Sequence, residues 1–126
     1  MEFTTVLSVD GPQGGRQAVQ QLLRSDFKPT AILRVNDFMA IGVLRELRDN
    51  GLHVPREVSV AGFDNISLSE YVCPPLTTIE IPRQRVGRRV AEALISRNGD
   101  HPAVGQEILI DPELVVREST GAAPRS

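Results

Sequence analysis

The chain has 126 residues, 40% of them hydrophobic and 24% charged, with a formal net charge of −2; this balance fits one soluble globular domain and excludes a disordered segment. Without a dense Lys/Arg cluster or any Trp, neither a phosphate-tracking basic face nor an aromatic platform for nucleic acid is expected. The single cysteine, Cys73, excludes an intrachain disulfide and suggests a reducing, cytoplasmic setting, and no secretory leader or membrane-spanning run is visible.

Hydrophobic period alternates between strand and helix along the chain. Residues 4–9 read as a first strand and the Gly/Pro-rich run 11–15 as a turn. Ala18, Val19, Leu22 and Leu23 recur at helical spacing, predicting a helix over 14–24. Pro29 breaks the chain before a second strand, 30–35. Residues 37–49 form the next helix, closed by Asn50-Gly51 as a C-terminal cap. The third strand, 58–63, is nearly all apolar, as expected when both faces are covered. Residues 64–75 read as a loop and 76–81 as extended. Residues 84–97 predict a helix with a buried stripe of Val86, Val90, Ala93 and Leu94, ended by Asn98-Gly99-Asp100. Arg83, Arg85, Arg88 and Arg89 then form its solvated face. Two short strands, 106–110 and 114–117, precede a frayed tail after Gly121. This alternation predicts an α/β fold with a parallel, doubly wound sheet.

In open α/β sheets, ligands bind beyond the carboxyl ends of the strands. Asp10, Asn36-Asp37 and Asp64-Asn65 fall at those ends. Short carboxyl and carboxamide groups suit hydroxyl-rich ligands, because each exchanges hydrogen bonds with neighbouring OH groups. The plain alternative is that Asn36 or Asp37 caps the next helix and that Asp64-Asn65 shapes a turn. No nucleophile elbow, phosphate loop or paired metal-ligand spacing is present, so no enzyme activity, catalytic residue, metal or cofactor is expected. His53 and His101 stand alone in loop contexts and read as surface residues.

Longer motifs carry a resemblance. Pro29-Thr30-Ala31-Ile32 leading into Asn36-Asp37-Phe38-Met39-Ala40-Ile41-Gly42, the run Gly51-Leu52-His53-Val54-Pro55 to Ser59-Val60-Ala61-Gly62-Phe63-Asp64-Asn65, Pro74-Pro75-Leu76-Thr77-Thr78-Ile79, and Leu114-Val115-Val116-Arg117-Glu118-Ser119-Thr120 resemble, in order and spacing, the LacI/GalR family of transcription regulators. The resemblance implies an incomplete type I periplasmic-binding-protein-like fold. Residues 1–80 and 111–120 would belong to its C-terminal subdomain, 81–110 to a piece of the N-terminal subdomain, and 121–126 to a tail. It implies a small, sugar-like effector held by Asn36 and Asp64, with Asp10 and Arg83 as further candidates and Asp37 as a helix cap. Effector binding would set operator affinity allosterically. The family usually has an aromatic residue at the place of Asp10, and often a polar one at Ile81, so the effector of better-known relatives does not carry over to this chain.

The helix from Asp37 carries two apolar sides. Ala40, Val43, Leu44 and Leu47 face one way, while Phe38 and Ile41 lie on another, continuing to Arg45 and Arg48. Two-sided helices usually meet a second partner. The resemblance implies a homodimer interface through Phe38, Ile41, Arg45 and Val72, beside Tyr71. It also implies that the helix-turn-helix, the hinge and most of the first half of the sensor are missing. Among the missing pieces is the strand that lies in relatives between residues 4–9 and 30–35. Operator DNA would be reached only through the missing helix-turn-helix, and no membrane is involved. The rival reading is a periplasmic sugar-binding component of an ABC transporter with the same fold.

Overall fold

The computed structural model of the chain describes residues 2–96, 105 and 107–124. The chain divides into two compact units, Met1–Glu80 with Leu114–Ser126, and Ile81–Glu113. In the first unit, helix α1 (Gly11–Arg24) packs against helix α2 (Asp37–Asp49). Strands β1 (Ala31–Leu33) and β2 (Ser59–Ala61) pair in parallel, with Ala31 opposite Ser59 and Leu33 opposite Ala61. A further parallel bridge joins Ala61 to Thr77, ahead of β3 (Thr78–Glu80), which lies beside β4 (Glu113–Val115). The second unit contains helix α3 (Arg83–Ile95).

The core follows from sequence periodicity. Ala40, Val43, Leu44 and Leu47 recur on one side of α2 and are buried with Val19 of α1, Val58, Val60 and Leu76. Full burial of a side chain such as Leu47 stabilises by about 1.5–3 kcal/mol. Glycines let the two helices approach closely: a Cβ on Gly15 would sit 2.0 Å from the Met39 carbonyl oxygen, and one on Gly42 would sit 1.9 Å from that of Pro12. At the edge of this contact Glu46 accepts from Arg16 Nε at 2.7 Å and Gln20 Nε2 at 2.9 Å. The end of α2 follows its local signal, with Asn50 as C-cap and Gly51 in the left-handed region at φ +75°.

Several expectations are corrected. Residues 4–9 form no strand. Their β-forming composition lacks a ladder partner: they meet β1's end through a side-chain hydrogen bond, Arg34 Nη2 to Ser8 Oγ at 2.8 Å, and Phe3, Leu7 and Val9 stay exposed. The run 11–15 is not a turn but the start of α1, because Pro12 occupies the first helical turn, where a missing N–H costs nothing. The loop 64–75 contains a 3-10 turn, Ser67–Glu70. The stripe of α3 is not buried: Val90 and Leu94 are exposed, and no described residue of α3 is buried. An amphipathic period gives a helix its face but cannot supply the surface that covers it. Residues 107–110 form no strand; Gln106, Arg97 to Asp100 and His101 lie outside the described residues. Of the second unit's helix, Arg83, Arg85, Arg88 and Arg89 are exposed.

Candidate functional site

Because β1 and β2 run the same way, their carboxyl ends open on one rim. From β1 the chain reaches Asn36, the N-cap of α2, whose Oδ1 accepts from the Met39 backbone N–H at 2.8 Å. This satisfies an otherwise orphaned donor of the helix start. The other half of the carboxamide, Nδ2, donates to Asp10 Oδ1 at 2.8 Å. That bond, and after it the Gly11 backbone N–H, holds the Asp10 carboxyl below the usual carboxylate range. Asp10 is exposed at the head of α1. The rim therefore presents a carboxylate held in place by an amide, a combination that accepts from ligand OH or NH groups and has one amide hydrogen left to donate.

From β2 the chain turns through Gly62 and Phe63 into Asp64. The Phe63 carbonyl accepts from the Asp37 backbone N–H at 2.9 Å, which sets Asp64 beside the start of α2. The Asp64 N–H donates to the Ile79 carbonyl at 2.9 Å. Asp64 and Asn65 adopt positive φ, at 112° and 48°. Asx residues tolerate this region better than most others, but a φ of 112° lies outside the usual left-handed well. Asp10, Asn36 and Asp64 thus gather at one end of the parallel strands. Arg83 lies in the second unit, at the first position of α3.

Asp37 is not the cap: that role belongs to Asn36, because the side chain of the residue before the first turn is the one placed to accept from its amides. The Asp37 carboxyl is fully buried. Its Oδ1 accepts from Thr78 Oγ1 at 2.6 Å; its Oδ2 accepts from Ser69 Oγ at 2.5 Å and from the Ile66 N–H at 3.0 Å. A Cβ on Gly62 would lie 2.2 Å from Asp37 Oδ1, so only glycine leaves room there. Thr78 Oγ1 also accepts from the Asn65 N–H at 3.3 Å. The Asn65 side chain donates to Glu80 and accepts from Arg117 Nη2 at 2.8 Å. Ser119 Oγ closes the frame, accepting from the Thr77 N–H and donating to the Val60 carbonyl. Sequence reasoning missed this network. Its signal was the paired Thr77-Thr78 inside an apolar run, together with a Ser/Thr-rich closing segment.

Arg34 was also not singled out. Its Nη2 reaches Ser8 Oγ and the Met39 sulfur, while its Nε is buried without a hydrogen-bond partner among the described residues. Burial lowers the Arg34 pKa.

The face expected to meet a second copy forms a separate recess of about 560 Å³ between the head of α1 and the outer side of α2. Ile41, Arg45 and Val72 line it, joined by Arg16, Arg48 and Cys73. Phe38 does not line it but is half exposed nearby on α2, at 50%. Arg45 and Arg16 both reach Asp49, at 2.9 and 3.3 Å.

The sequence profile of the periplasmic binding protein-like domain matches residues 4–120. Over 102 residues the chain is 42% identical to the HTH-type transcriptional repressor PurR of Vibrio campbellii, a match covering 81% of this chain and 30% of that protein. Over 113 residues it is 42% identical to the HTH-type transcriptional repressor CytR of Escherichia coli K12, covering 89% and 33%. Among solved structures, a LacI family transcriptional regulator from Enterococcus faecalis with bound ribose superposes with a TM-score of 0.80 at 34% identity, over 94% of this chain and 43% of that one. The chain spans about a third of the length of the curated relatives it matches.

Proposed function

From its membership of the periplasmic binding protein-like family, in the branch whose relatives are LacI-type repressors, we propose that this chain is the effector-sensing and dimerising part of a transcription regulator. The observation that carries this reading is the Asp10–Asn36 pair at the carboxyl end of the parallel strands, with Asp64 set beside it by the Asp37–Phe63 backbone bond. Asn36, Asp64 and Asp10 bind a small polyhydroxyl effector. Residues 1–80 and 111–120 form the C-terminal subdomain of the sensor, 81–110 a piece of its N-terminal subdomain and 121–126 a tail. DNA contact belongs to a helix-turn-helix of the full regulator, acting in the cytoplasm. That the relatives are repressors rather than transport components supports this reading over a periplasmic sugar-binding protein, and over an enzyme.

A second copy docks on the α2 face through Phe38, Ile41, Arg45 and Val72. The recess beside Ile41 supports this, since Ile41 and Val72 line it together with Arg45, whose guanidinium is held by Asp49 outside the lining, an apolar centre with a polar rim as interfaces have.

The deciding experiment is a thermal-shift screen of the full regulator against sugars, sugar acids, nucleobases and amino acids. A binder raises the melting temperature by mass action. The shift is expected to disappear in Asn36→Ala and in Asp64→Ala; a shift that survives both substitutions places the effector elsewhere.

A further inference from the structure

The buried carboxyl of Asp37 ties together segments that serve different surfaces. Asp37 follows the cap Asn36 directly and so lies one residue from the Asp10 contact at the rim. Its backbone N–H fixes Phe63, the residue before Asp64. Its Oδ2 takes both the Ile66 N–H and the Ser69 hydroxyl, at the two ends of the turn that leads to Val72. The Ser69 carbonyl in turn accepts from Leu76, and the Val72 N–H donates back to Leu68. Its Oδ1 takes Thr78, which also receives the Asn65 N–H. Val72 lines the α2 recess, which the rim residues do not touch.

We propose that Asp37 is the positioning residue that couples the effector rim to the α2 docking face. A group with both oxygens engaged in a buried site holds its donors in one arrangement, because any donor that leaves strands a buried polar atom. Residues 63–72 therefore move as a unit about Asp37. Displacement of Asp64 or Asn36 at the rim is transmitted to Val72 through Ile66 and Ser69 rather than through the apolar core. The coupling rests on the proposed roles of the rim and of the docking face, whereas the unit itself does not.

Two variants test it in the chain as it stands. Asp37→Asn keeps the shape but turns one acceptor into a donor. Ser69→Ala removes a single partner and leaves Asp37 intact, so it reports even where Asp37→Asn does not fold. Amide hydrogen exchange without ligand is expected to quicken by about tenfold or more at Asp64, Asn65, Ile66 and Val72, the scale of a buried acceptor lost. The amides of the α1 and α2 interiors should keep their protection. Uniform acceleration across the unit, or none, overturns the proposal. In sedimentation, the same variants are expected to weaken self-association several-fold although neither residue lines the recess. Unchanged association of a wild-type dimer overturns the coupling. Because neither readout uses an effector, both are distinct from the thermal-shift test: a shift lost in Asn36→Ala and Asp64→Ala would keep the rim assignment even if the coupling failed.

Discussion

The carboxamide of Asn36 serves two partners at once, capping α2 through Oδ1 at Met39 N and holding Asp10 through Nδ2, each at 2.8 Å. Capping and ligand binding had stood as alternative readings of Asn36, but they use different atoms of the side chain and are compatible. The cap fixes the rotamer, and the fixed rotamer presents the amide to Asp10. A structural bond thus orients the group proposed to face the effector.

The two halves of that side chain can be separated by mutation. Asn36→Ala is expected to lower stability by about 1 kcal/mol in urea unfolding, the usual cost of a lost cap. Asn36→Asp keeps the acceptor but sets a second carboxylate against Asp10. Its penalty should shrink as salt is raised, because the two charges are exposed enough to be screened. A penalty indifferent to salt would mean that the two groups do not face each other.

The Glu46 carboxyl is held below its ordinary value of 4.5, first by the Gln20 side chain and then by Arg16. A carboxyl whose folded pKa is depressed stabilises fully above its unfolded pKa, and that stability is lost as pH falls through the folded value. Glu46→Gln is therefore expected to melt lower than the unsubstituted chain at neutral pH, with the gap closing below about pH 4.5. A gap of constant size between pH 7 and about pH 3 would contradict the assignment. The contribution is read at the α1–α2 contact, where the Glu46 side chain is only 7% exposed.

Two glycine substitutions provide a contrast in the same assay. Gly42→Ala drives a methyl group toward the Pro12 carbonyl, 1.9 Å from the ideal Cβ position, and Gly87→Ala meets nothing within 4 Å on α3. The first is expected to cost about 1–3 kcal/mol, the scale of overpacking. The second should be neutral or stabilise by up to about 1 kcal/mol, as alanine does in a helix interior. Equal denaturation midpoints for both variants would show that the helices do not approach as closely as Gly42 and Pro12 indicate.

Ile41→Asp places a charge on the floor of the α2 recess while leaving the buried side of the helix untouched. Sedimentation should change from dimer to monomer, with little change in thermal stability of the monomer itself. A dimer that persists would remove Phe38, Ile41, Arg45 and Val72 from the interface.

Helix α2 was legible from sequence to its ends, because its signals are local: a 3.6-residue apolar period, an Asn before the first turn and a Gly able to take positive φ after the last. Asn36 and Asp64 were placed from the ends of the parallel strands, whereas Asp10 meets Asn36 from the head of α1, since residues 4–9 form no strand. Residues 4–9 show the limit of such reading. Their alternation is as strand-like as that of 30–35, yet only the latter has a neighbouring backbone to pair with. Likewise the stripe of α3 predicted a helix correctly and its burial wrongly.

What the sequence determined by itself was the parallel α/β class, the helices at 37–49 and in the 83–97 region, and the family motifs that name the sensor. What only the tertiary structure decided was the part played by Asp37. Read along the chain, Asp37 is the cap of the helix it begins. It becomes the buried centre of Ile66, Ser69 and Thr78 because the fold brings in donors from 29 to 41 residues away. Capping depends on neighbours in the chain and can be read along it; burial of a carboxyl depends on which distant donors arrive, and that is settled only when the chain has folded.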